Sequence, residues 1–189
     1  MSFIDQLRAA TAHQHKALES SRLSKQLLSE DVTVEDYKAY LEKLSGFVVA
    51  FEKDILPQII SAFPEIVPSY KQGLLLNDIE ALGNTDTSSI VTENDMQQLY
   101  PNKASMLGGL YVLEGSTLGG LVIKKHLVEK LGEQIIPATN YFSVYGKETA
   151  ANWRNFLQIF STLAMRNDSA AVIKGASDTF TFLHKWFNN

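Results

Sequence analysis

The chain has 189 residues, with 17 Lys and Arg against 21 Asp and Glu, a formal net charge of −4. This mild acidity argues against a nucleic-acid binder, which carries a basic stripe. A hydrophobic share of 45% excludes a disordered chain, and the absence of cysteine excludes disulfides, thiolate metal sites and cysteine nucleophiles. No apolar run reaches the roughly 18 residues of a membrane span, and the opening Met1-Ser2-Phe3-Ile4-Asp5 lacks the regions of a signal peptide. The expectation is a cytoplasmic protein, one domain over 1–189, large enough to bury a core without staples.

Almost every segment has helical spacing. Phe3, Ile4, Leu7, Ala10, Ala17 and Leu18 predict a first helix from Ser2 to about Leu28, with Ser2 as N-cap and Asp5 completing an imperfect capping box. Thr33, with Asp36 three residues on, starts a second helix that Pro57 kinks and Pro64 ends. Pro68 opens a third, stopping at Gly83. Asn84–Thr92 reads as a loop, Glu93–Tyr100 as a short helix, and Asn102 to about Leu131 as the longest helix, closed by Gly132. Glu133–Gly146, with Pro137 and scattered aromatics, reads as an irregular connection before two last helices over Lys147–Met165 and Asp168–Phe187. With no repeat and no strand pair, the fold class is all-α.

The fold class leaves two features unexplained. Gly108, Gly109, Gly115, Gly119 and Gly120 all lie inside the longest helix. Together they cost about 4–5 kcal/mol relative to alanine, and they fall within one arc of about 140°. One helix face is therefore bare, and either a close-packed helix or a flat ligand lies against its backbone. The second feature is a polar stripe on the first helix. Arg8, Thr11, His15 and Glu19 lie together beside the apolar face, whereas His13 points to solvent. A histidine there is either a hydrogen-bonded structural residue or a metal ligand, since neutral imidazole ligates metals. With a cation two turns away, the stripe suits a ligand with a metal centre and acidic edges, as heme has.

The segment Leu7-Arg8-Ala9-Ala10-Thr11-Ala12-His13-Gln14-His15-Lys16-Ala17-Leu18-Glu19 resembles the opening motif of heme oxygenases. Tyr111-Val112-Leu113-Glu114-Gly115-Ser116-Thr117-Leu118-Gly119-Gly120 resembles their distal-helix motif, and its wording is similar to the bacterial branch that supplies biliverdin to bacteriophytochromes. The resemblance implies an all-α fold with heme between a proximal and a distal helix, and cleavage of heme by O2 and a reductant to biliverdin, carbon monoxide and ferrous iron. Heme is then both cofactor and substrate, and an electron donor, a reductase or a ferredoxin, is the implied partner. His15 matches the proximal iron ligand and Glu19 a residue that orients it. Gly115, Gly119 and Gly120 match the distal glycines, and Arg8, with Arg154, matches cations that meet the propionates. Thr11 belongs to the same opening motif.

The chain departs from the family pattern at Ser116, where many members carry an Asp that organises proton-donating water, and at Gln158, where an Arg is expected. A non-catalytic heme carrier or sensor is the alternative that Ser116 keeps open. A di-iron bundle needs Glu-x-x-His pairs, and none of the four histidines has a Glu three residues before it. A thiaminase-like relative lacks its cysteine. A ligand-free helical interaction module would leave the glycine arc to helix packing alone. Lys124 and Lys125 form either a docking patch for an acidic electron donor or a solvated face.

Overall fold

The computed structural model describes residues 1–83 and 90–189. Among them are nine α-helices: α1 (Phe3–Glu19), α2 (Arg22–Leu27), α3 (Val34–Ala50), α4 (Leu56–Ala62), α5 (Gln72–Ala81), α6 (Glu93–Leu99), α7 (Lys103–Leu131), α8 (Thr149–Arg166) and α9 (Ser169–Trp186). No strand occurs among the described residues. Most of the loop expected over Asn84–Thr92 lies outside them.

Four helices start on reciprocal caps. The Ser2 hydroxyl accepts the Asp5 amide while the Asp5 carboxylate accepts the Ser2 amide, so this capping box is complete. Thr33 with Asp36, Thr92 with Asp95 and Asn102 with Ser105 repeat the arrangement. The expected first helix is two. It ends at Glu19, and α2 restarts after Ser21, whose hydroxyl bonds Ser24 Oγ at 2.9 Å. Near Pro57 the chain widens into a π-turn over Phe51–Ile55, which accommodates a proline that has no amide to offer the preceding turn. The third helix starts at Gln72 and not at Pro68. Its first amides find their acceptor across the fold, where Glu52 takes Lys71 N at 2.6 Å and Gln72 N at 3.1 Å. Glu133–Gly146 is a string of short 3₁₀ turns, including Tyr141–Ser143.

α7 is the central element. By length and composition it is apolar enough to cross a membrane, but most of that stretch is buried inside the fold as the core helix. It packs along α9, and also touches α8 and the 3₁₀ turns. The α7–α9 crossing is set by glycine on both sides. A Cβ on Gly108 would overlap Val172 O and Ala176 N, and one on Gly175 would overlap Ser105 O. Gly109 receives the Tyr100 ring, where a Cβ would sit 2.6 Å from its edge, and the Tyr100 hydroxyl pairs with Thr179 Oγ1 at 2.8 Å. α1 also lies along α9, and His184 Nδ1 donates to Ala17 O at 2.9 Å. α1 and α7 therefore share a floor while making little contact with each other.

Two buried carboxylates fix the surroundings of α7. Glu114 pairs with the fully buried Lys71 and accepts the Tyr145 hydroxyl at 2.9 Å. Asp78 accepts Asn140 N (3.0 Å), Asn140 Nδ2 (2.8 Å) and Tyr141 N (2.7 Å), and so caps the Tyr141–Ser143 turn. Burial pushes the Asp78 carboxyl above its ordinary range, against the pull of those donors.

Gly108→Ala forces backbone against backbone and should cost about 3 kcal/mol, a fall in Tm of about 6–12 °C by calorimetry. Lys71→Met leaves the Glu114 carboxylate buried without its countercharge and should cost about 3–5 kcal/mol. The double replacement Lys71→Met with Glu114→Met should recover most of that loss.

Candidate functional site

The gap between α1 and α7 is a cavity of about 720 Å³, within the range of small-molecule and cofactor sites. α9 supplies its floor through Phe180 and Leu183, with Phe187 just past its end, and α3 supplies Tyr40, Leu44 and Phe47. Trp153 of α8 closes another side, held by Tyr111 and Phe156 at ring-centroid distances of 5.5 and 5.4 Å. The walls are mainly aromatic and aliphatic, which suits a flat apolar ligand.

α1 brings its polar stripe to this cavity. Arg8, Thr11, His15 and Glu19 all line it. Among the described lining residues Arg8 is the only cation and Glu19 the only carboxylate. Thr11 is buried, its hydroxyl donating to Leu7 O at 2.8 Å. The His15 ring meets Phe180 edge-on at 5.1 Å, and its Nδ1 lies 3.5 Å from Glu19 Oε1. A carboxylate at Nδ1 favours the tautomer that leaves the Nε2 lone pair free.

The other three histidines are placed elsewhere. His13 is exposed on α1, His126 Nε2 donates to Ser29 O at 3.0 Å, and His184 is committed to Ala17. Among the described residues no group of three or more His, Asp or Glu side chains is arranged to hold a metal ion. A lone histidine on an apolar wall suits a metal that brings its own ligands, as heme iron does.

α7 forms the opposite wall, and here the glycine arc divides. Gly108 and Gly109 are consumed by helix packing. Gly120 is also buried and stands off the cavity wall, because a Cβ there would lie 3.0–3.1 Å from Phe142. Gly115 and Gly119 line the cavity. A Cβ on Gly119 would meet nothing within 4 Å, and one on Gly115 would touch only Trp153, at 3.4 Å. The protein's own packing requires neither glycine, although each costs about 1 kcal/mol in a helix. They leave a strip of bare backbone on the wall of the cavity that His15 also lines. Between them Ser116 is open to the cavity, its hydroxyl donating to Leu113 O at 2.7 Å.

Arg154 and Gln158 are exposed on α8 and stand off the cavity wall. Lys124 donates to Ser143 Oγ at 3.1 Å, and Lys125 is exposed. The sequence pattern did not single out Tyr40, Tyr141, Phe142, Trp153 or Phe180 as cavity residues. Their only signal was the aromatic content of segments read as core or connection. Together the residues fit heme: one imidazole, a bare backbone strip across from it, aromatic walls and a cation for an acidic edge.

The comparisons with known proteins bear on the family and the fold. The family profile described as Heme oxygenase matches residues 1–189. A solved structure of the heme oxygenase from Leptospira interrogans is similar in fold, with a TM-score of 0.77 at 20% identity, covering 100% of this chain and 99% of that one. No curated protein sequence matches the chain significantly. The full-length profile match, on a helical fold with a histidine and a bare helix strip lining one cavity, shows that the chain belongs to the heme oxygenase family.

Proposed function

We propose that residues 1–189 act as one domain that holds heme in the α1–α7 cavity, with His15 as the iron ligand. Bound heme supplies the redox-active iron and is itself the substrate, cleaved with O2 and electrons to biliverdin, carbon monoxide and ferrous iron. The observation that supports the residue assignment is that the His15 imidazole on α1 lines the same cavity as a helix strip on α7 whose glycines serve no packing purpose.

Each residue then has a physical task. Glu19, beside Nδ1, orients the His15 ring and leaves Nε2 to face iron. Gly115 and Gly119 let the α7 backbone approach the ligand's opposite face. Ser116 offers the hydroxyl nearest that strip and is the proton-handling group of the wall. Arg8 meets a propionate with charge-assisted hydrogen bonds, whereas Arg154, expected to be a second such cation, stands off the cavity wall and is left out of the assignment. Gly120 contributes indirectly, by letting the Tyr141–Ser143 turn press on α7. Thr11 satisfies its buried hydroxyl within α1, on Leu7 O, and leaves its methyl group to the cavity wall. The aromatic walls exclude bulk water. A reductase or a ferredoxin delivers the electrons, and the cysteine-free chain suits a reducing cytoplasm.

Titration with hemin should give a saturable Soret band that His15→Ala weakens and shifts. Ascorbate in air, with catalase present, should then replace that band with biliverdin absorbance. A Soret band that persists under several reductants would instead identify a heme carrier or sensor. Gly119→Ala separates ligand contact from packing. The free protein should keep its Tm or gain about 2–4 °C, while hemin affinity and turnover fall. A lower Tm in the free variant would show that Gly119 serves the fold.

A further inference from the structure

On the α7 wall one polar atom is left unused. Tyr141 lines the cavity, is 4% exposed, and its hydroxyl is shielded from solvent without completing a hydrogen bond. Leaving a buried hydroxyl unpaired is costly, and the turn that carries it is built firmly. Asp78 takes the Tyr141 amide at 2.7 Å and both Asn140 donors, Gly120 admits Phe142 against α7, and Lys124 Nζ reaches Ser143 Oγ at 3.1 Å. The hydroxyl lies beside Ser116. The Ser116 proton is committed to Leu113 O at 2.7 Å, a bond made within its own helix turn. Burial pushes the Tyr141 phenol well above its ordinary range. The phenol therefore stays protonated and is a donor in search of an acceptor.

We propose that Tyr141 is a positioning residue for Ser116: its hydroxyl donates to Ser116 Oγ when the Ser116 hydroxyl turns from Leu113 O into the cavity. Ser116 then presents its proton to a small ligand on the α7 side of bound heme, polarised by the phenol behind it. Chained hydroxyls strengthen one another in a low-dielectric site. This rests on the reading of the cavity as a heme site.

Fluoride bound to the ferric heme complex and carbon monoxide bound to the ferrous complex both report donors on this wall, and neither requires turnover. Tyr141→Phe should bind hemin within about two-fold of the parent protein, because the ring and its packing remain. Its fluoride affinity should fall about five-fold, the loss of one hydrogen bond, and its C–O stretch should move to higher wavenumber. Ser116→Ala should do the same, and the double variant should be no worse than Ser116→Ala alone, because one residue acts through the other. Normal hemin binding with unchanged fluoride affinity and C–O stretch in Tyr141→Phe would overturn the assignment while leaving the heme site intact. Additive losses in the double variant would overturn the relay through Ser116. Absence of saturable hemin binding by the parent protein would sink the heme reading and this assignment with it.

Discussion

The close crossing of α7 on α9 is the constraint on which the rest of the structure depends. Gly108 and Gly175 bring backbone against backbone, and no side chain separates the two helices there. That contact fixes one end of α7 to a floor it shares with α1. Beyond the crossing, α7 runs past the cavity with α1 on the far side of the gap. The Lys71–Glu114 pair holds α7 at the turn where it reaches the cavity, one residue before Gly115. A buried ion pair is an expensive fastening, since both charges lose their hydration. It stands directly before the stretch in which Gly115 and Gly119 offer no side chain to the neighbouring elements.

The same residue type thus does two kinds of work in one helix. At Gly108, Gly109 and Gly120 the missing Cβ admits protein, namely α9, the Tyr100 ring and the Tyr141–Ser143 turn. At Gly115 and Gly119 it leaves space. Sequence spacing placed all five on one arc and offered a helix or a ligand as its occupant. Protein fills it at some heights and open cavity borders it at others. Projection on a helical wheel cannot separate them, because height along the axis decides which neighbour a residue meets.

The helical class, the long central helix and the caps at Ser2 and Thr33 were legible because they depend on local rules. The α1 stripe was legible for the same reason, and all four of its residues line one cavity. The break at Ser20–Ser21 and the late start of α5 were not. The second depends on Glu52, nineteen residues upstream of Lys71, which caps the helix from another element. The aromatic walls were also hidden. Tyr141 and Phe142 sit in a turn that takes its shape from Asp78, sixty-odd residues away in sequence, and no periodicity announces such a cap.

The central claim is that heme lies between His15 and the bare strip of α7, and a crystal structure of the hemin complex tests it most directly. The account predicts iron on His15 Nε2, the macrocycle against the backbone of Gly115 and Gly119, and α7 in the position it already holds. Iron on another residue, or a macrocycle that leaves the Gly115–Gly119 strip uncovered, would contradict it.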